Sequence, residues 1–172
     1  MTARPTSGPA GPEAGGGECG ALVQAHDWGA TPLGPIASWP APLKTATAIC
    51  LEAHSATCVF WGPDLVALYN DAFARLFGAG HPAAMGTSLR EIRHEVRDRI
   101  EPVVHGVLET GRAAGADDQP LPLERDGVRR HAWFTFSFGP IRDATGAVAG
   151  VYAAAHETTE RVLAMRRLAA FT

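Results

Sequence analysis

The sequence predicts an α+β protein: a five-stranded antiparallel sheet with helices on one face, a helical extension ahead of it and an exit helix behind it. Three observations carry this prediction. Two short apolar runs, Thr57–Trp61 and Leu65–Tyr69, flank a Gly62-Pro63-Asp64 turn and stop at Asn70-Asp71, side chains that accept hydrogen bonds from the free N–H groups opening a helix. Asp126-Gly127 separates Leu121–Arg125 from Val128–Phe138 and supplies the positive φ angles of a tight primed hairpin turn. Between these strand regions Val96, Ile100, Val103, Val104, Val107 and Leu108 recur on one face of a helix.

Taken in order, Met1 to Gly20 is rich in Gly, Pro and Ala, has no periodicity and reads as a disordered leader. Residues 21–55 form an N-terminal extension. Its irregular lead-in packs Trp28, Leu33 and Trp39 while prolines forbid regular structure, and Ser38 is placed to cap a helix running to about Ala53. The core spans 56–156. After the first two strands come a short helix carrying Ala72, Phe73 and Leu76, one helical turn at Ser88–Ile92, and a longer helix, Glu95–Thr110, that Gly111 ends. Leu121–Arg125, Val128–Phe138 and Ala147–His156 supply the last three strands. The final segment, 157–172, holds a polar exit helix with Val162, Met165 and Ala169 on one seam and Arg161, Arg166 and Arg167 exposed.

The chain's 172 residues suffice for one domain, and 46% apolar with 19% charged residues fits a globular protein. Eighteen acids against 15 bases leave a net charge of -3, which offers no electrostatic footprint for nucleic acid or an anionic membrane. The longest apolar run, Val148–Ala155, is too short to cross a bilayer, and no signal sequence opens the chain. Cys19, Cys50 and Cys58 are odd in number and lack ligand spacing, so neither a disulfide framework nor a zinc site is expected; reduced thiols in a cytoplasmic protein are. There is no Gly-x-Ser-x-Gly elbow, no His-Glu-x-x-His and no Walker loop, so no enzymatic activity is expected. Asp117-Asp118 reads as a solvated pair in a loop.

Several motifs stand in a familiar order: Thr31-Pro32-Leu33-Gly34-Pro35 with Trp39-Pro40, Trp61-Gly62-Pro63 through Tyr69-Asn70-Asp71, His81-Pro82-Ala83-Ala84, Gly86, Pro122-Leu123-Glu124-Arg125, Phe134-Thr135-Phe136-Ser137, Pro140-Ile141-Arg142-Asp143 and Glu157-Thr158-Thr159-Glu160-Arg161-Val162. Over roughly Ala21 to Leu168 the chain resembles the N-terminal PAS sensor domains of bacterial sensor and hybrid histidine kinases. The resemblance implies a regulatory domain of a two-component-type protein that senses a small ligand or passes a signal to an output kinase, in cis or in trans. His156, Glu157 and Thr158 would form its signal junction. It also implies a homodimer, and leaves open a ligand-free dimerisation module or a haem-based gas or redox sensor. Light-sensing relatives place a reactive cysteine in an Asn-Cys-Arg-Phe motif after Gly86; here Gly86-Thr87-Ser88-Leu89-Arg90 has none, which argues against flavin–cysteinyl photochemistry. Haem-binding relatives draw their iron ligand from the long helix, where His94 and His105 are the candidates, and a boundary histidine is the competing reading.

Strand alternation locates a pocket. Phe134, Phe136 and Phe138 share one face, and Val151, Ala153 and Ala155 share one on the return strand, with small side chains that leave room above the sheet. Cys58, Phe60, Val66 and Leu68 from the first strands would join them, closed by Val103, Val104 and Val107 of the helix. The same pattern also describes a plainly packed core. Arg90, Arg93, Arg97 and Arg99 interleave with Glu91, Glu95, Asp98 and Glu101, as a solvated helix face or as a gate for an anionic ligand.

Overall fold

The first two strands carry no polar face. β1 (Ala56–Trp61) and β2 (Val66–Tyr69) are buried at every residue, so both faces of that half of the sheet need a cover. The computed structural model describes residues 15–77, 80–92 and 94–172, apart from the side chains of residues 77, 94–96 and 125. It shows a five-stranded antiparallel sheet ordered β2-β1-β5-β4-β3, with β3 at Ala114–Arg125, β4 at Val128–Arg142 and β5 at Val148–Glu157. Cys58 pairs with Ala153, and Ala153 with Phe138; Ala56 pairs with Ala155, and Ala155 with Phe136. These residues therefore share one face, under α3 (Asp71–Phe77) and α4 (His94–Thr110). The opposite face, with Thr57, Val59 and Trp61, lies under α2 (Ala41–Glu52). There Thr57 Oγ1 donates to Cys50 O at 3.0 Å, and Cys50 Sγ sits 3.4 Å from Thr57 O.

Helix α1 (Gly17–Ala25) corrects the expected leader, which was drawn through Gly20; residues 1–14 of that leader lie outside the described residues. Its first turn is held in trans. Asp71 Oδ1 accepts from Cys19 N at 2.7 Å and Oδ2 from Glu18 N at 3.2 Å, satisfying donors that a helix start leaves free. Partial burial pushes the Asp71 carboxyl up, but the backbone donors of Cys19 and Glu18 outweigh it and hold the group below its usual range. Cys19 and Val23 are buried beneath.

Ser38 does not cap α2. Its hydroxyl donates to Pro35 O at 2.7 Å, closing a single 3-10 turn at Ile36–Ser38. Trp39 precedes Pro40 and takes the extended conformation that a following proline favours, so α2 starts at Ala41 with Pro40 at its N-cap. The lead-in is pinned by its indoles. Trp28 Nε1 donates to Val23 O and Trp39 Nε1 to Gly34 O, at 2.7 and 2.8 Å, and the two rings meet edge to face at 5.0 Å.

At the other end, β3 begins at Ala114 and not at Leu121, and β4 runs past Gly139-Pro140 to Arg142. Pro120 and Pro122 are compatible with β3 because it is an edge strand, where a missing N–H can face away from the ladder. Asp126 and Gly127, at φ 53° and 72°, form the primed turn. The exit helix α5 starts at Thr159, two residues after the expected Glu157.

One buried side chain ties these pieces together. Asn70, 2% exposed, donates through Nδ2 to Ala53 O (3.0 Å) and Ser55 O (2.8 Å). Its Oδ1 accepts from Thr57 N (3.1 Å) and Phe73 N (3.0 Å). All four hydrogen-bonding positions of the amide are used. Asn70→Ala strips four backbone groups of this partner and is expected to cost about 3 kcal/mol in urea denaturation. A loss below about 1 kcal/mol, within the range of an ordinary surface change, would contradict the role.

Candidate functional site

Beyond β5 the sheet is less tightly covered. β3 brings Gly115 and Ala116 where β4 brings Phe136 and Phe138, and α4 spans the difference without filling it. The result is a cavity of about 210 Å³ lined by Ile100 and Val103 of α4, by Gly115, Ala116, Gln119 and Leu121 of β3 and by Phe136 and Phe138, with Arg99 on its rim. Gly115 is dictated by space: a Cβ there would stand 2.8 Å from Phe136 O. The Phe136 and Phe138 rings are near parallel, 24° apart with centroids at 6.1 Å.

Of the residues the sequence placed at a pocket, Val103, Phe136 and Phe138 line this cavity. Cys58, Phe60, Val104, Val107, Phe134, Val151, Ala153 and Ala155 are buried in the hydrophobic core. Val66 and Leu68 are corrections. The β1–β2 register pairs Cys58 with Tyr69 and Phe60 with Ala67, so Tyr69 and Ala67 share the cavity-side face, while Val66 and Leu68 pair with Trp61 and Val59 and point under α2. Arg99, Ile100, Gly115, Ala116, Gln119 and Leu121 were missed. The signal existed in the alternation of Gln119, Leu121 and Leu123, but a bulge between Ala116 and Gln119 breaks it at the strand's start.

That bulge also joins the cavity to the exit helix. Asp118, at φ 50°, leaves the ladder between the two cavity residues Ala116 and Gln119. Its Oδ1 accepts from Thr158 Oγ1 at 2.7 Å and from Arg161 Nη2 at 2.5 Å. It is therefore no solvated loop acid. Thr158 N donates to Trp133 O (2.7 Å), Trp133 N donates to Thr159 Oγ1 (3.0 Å), and Arg166 lies 4.9 Å above the Trp133 ring. Of the expected junction residues, Thr158 is half-buried in this network while His156 and Glu157 are exposed.

The remaining titratable candidates lie elsewhere. His105, 43% exposed, sits 3.5 Å from Glu101 and away from the cavity lining; the side chain of His94 is outside the described residues. Arg97 faces Asp98 and Glu101, as the solvated-face reading expects. Tyr69 OH lies 2.8 Å from His81 Nδ1, and His81 Nε2 3.1 Å from Glu18 Oε1. Because a carboxylate only accepts, the neutral imidazole carries its proton on Nε2 and Tyr69 donates to Nδ1. Burial, then the Cys19 and Cys58 thiols, pushes the Tyr69 phenol up. Burial and then Asp71 push Cys19 up to about 12, burial takes Cys50 up to about 11, and Cys58 rises for the same reason. All three stay unreactive thiols at neutral pH. Among the described residues no helix is long and apolar enough to cross a membrane, and no three His, Cys, Asp or Glu side chains cluster as metal ligands.

A sheet of this order, with α3 and α4 on one face, the α2 extension behind the other and a terminal helix leaving the last strand, defines a sensory-domain architecture. The PAS fold family model matches residues 51–163, and the chain belongs to that family. Solved structures agree on the fold. The phage VqmA–DPO complex superposes with a TM-score of 0.57 at 15% identity, covering 74% of this chain and 58% of that one. The Vibrio cholerae VqmA dimer gives 0.51 at 19% identity, with 69% and 52% covered. The chain thus spans little more than half of the VqmA proteins it resembles. No match is found among curated proteins.

Hydrogen bonds from Thr158 and then Arg161 hold the Asp118 carboxyl below its usual range. A depressed carboxylate contributes fully above its ordinary titration range, and the contribution is lost as pH falls through the folded value. In 5-fluorotryptophan protein, the ¹⁹F resonance of Trp133, assigned with Trp133→Phe, is therefore expected to move as pH drops below the usual carboxylate range. Asp118→Asn is expected to start near the acid position and to lose the titration. The same titration in both proteins would detach Asp118 from α5.

Proposed function

We propose that this chain is a regulatory, non-catalytic sensor: a small molecule occupies the cavity under α4, and the β3 bulge relays occupancy to α5. The observation that supports this reading is the placement of Asp118, held between two cavity-lining residues and bonded to Thr158 and Arg161 at the root of the exit helix. A ligand that presses on Ala116 or Gln119 displaces the bulge, and the bulge carries the helix. Such a switch needs two arrangements separated by only a few kcal/mol. The helix passes its state to an output module of the histidine-kinase type, in cis or in trans, in the cytoplasm. The VqmA relatives, described as receptors with a DNA target, give the competing output, a DNA-binding module.

Filling the cavity tests the relay without knowing the ligand. Val103→Phe is expected to shift the Trp133 ¹⁹F resonance in the native background and to leave it within error in Asp118→Asn, a coupling that a double-mutant cycle isolates. Equal shifts in both backgrounds would refute the relay.

A homodimer is the second reading, favoured by one observation: α5 has no buried residue and exposes Met165, Leu168 and Phe171 at 58, 70 and 90%. A second copy packed along α5, and along α2 where Ile49 is 58% exposed, covers them. Sedimentation of the native chain is expected to give a dimer that Leu168→Glu weakens at least tenfold; a monomeric native chain at high micromolar concentration would remove this reading.

A further inference from the structure

The cavity under α4 is apolar on every side but one. Ile100, Val103, Leu121, Phe136 and Phe138 wall it, and Arg99 and Gln119 bring the polar groups. Among the described side chains the acids near Arg99 in sequence or along β3 are engaged elsewhere: Asp98 and Glu101 face Arg97, Glu101 also faces His105, and Asp118 holds Arg161. One Arg99 Nη donates to Pro120 O, and its other N–H groups have no partner among the described residues. Gln119 Nε2 donates to Asp117 O at 2.9 Å, which leaves its Oε1 free among the same residues. A guanidinium at the mouth of an apolar chamber, with N–H groups to spare among the described residues, is a fork that matches a carboxylate with two parallel hydrogen bonds.

We infer that the cavity binds a small monocarboxylic acid with a flat apolar body, an inference that rests on reading the cavity as a ligand site. The body lies on the near-parallel Phe136 and Phe138 rings and the carboxylate on Arg99. Three features set the class. Arg99 is the only cation among the described lining residues, so a second anionic group on the ligand would be desolvated against apolar walls without a partner from them. A neutral ligand would forgo the charge-assisted pair with the exposed Arg99 guanidinium. The volume of about 210 Å³ falls below the ~300–1,000 Å³ of drug-sized sites and holds about one substituted ring.

Titrating ¹⁵N-labelled chain with phenylacetate, phenylacetamide and benzene, and following the amides of Gly115, Ala116 and Gln119, tests this. Phenylacetate is expected to bind at least tenfold more tightly than phenylacetamide. Arg99→Gln is expected to remove that advantage while leaving phenylacetamide unchanged, and Arg99→Lys to retain part of it; an unaltered spectrum elsewhere verifies the fold of each variant. Equal affinity for acid and amide, or an advantage that survives Arg99→Gln, overturns the carboxylate assignment while the cavity still binds. Absence of shifts with all three compounds, benzene included, overturns the ligand-site reading itself.

Discussion

The buried amide of Asn70 is the constraint on which the rest of the molecule depends. Its four hydrogen bonds reach the segment leaving α2, the first strand and the start of α3. α2 and α3 lie on opposite faces of the sheet, so a single side chain fixes the two layers against each other. Backbone bonds reinforce it, Asn70 N donating to Thr57 O and Ala74 N accepting nothing but donating to Asn70 O. A hydrophobic residue of similar size would leave several main-chain groups dry, a cost larger than the gain from its own burial.

This anchoring divides the sheet into unlike halves. β1 and β2 are packed from both sides, and a change there would have to move a core. β3 and β4 have a hollow under α4 on one face. On the other face Thr135 is only half-buried and Ser137 is exposed. Motion is least costly where packing is least dense, and the bulge with its link to α5 sits in that half. The proposed ligand site and relay thus lie where the fold can yield, and the rigid half where it must hold.

Much of the architecture could be read directly from the residues. Gly62-Pro63-Asp64, Asn70-Asp71 and Asp126-Gly127 are local chemistry, and local chemistry is written in adjacent residues. Gly111, at φ 64°, ended α4 as its type suggests. What escaped depended on partners far away in the chain. α1 is held by Asp71, more than fifty residues on, and nothing in Gly17-Glu18-Cys19 announces that carboxylate. Val66 and Leu68 were assigned to the wrong face because period two fixes alternation within a strand but not the phase between strands, which the turn sets. The cavity's β3 wall was hidden for a related reason: an extra residue at Asp117-Asp118 shifts the alternation, and two prolines disguise an edge strand as loop.

The doubly buried β1–β2 ribbon bears on how such a domain is isolated. The family match opens at residue 51, inside α2, so a fragment cut at that boundary discards α1, the indole-pinned lead-in and most of α2. Val59, Trp61, Val66 and Leu68 would then form a bare apolar strip on one face of the ribbon, while the outer edge of β2 stays paired with the Gly86–Leu89 segment. Such an exposed apolar strip invites face-to-face association between molecules. The extension therefore acts as a built-in solubility shield, and its length sets the smallest piece of this chain that can stay dispersed in water.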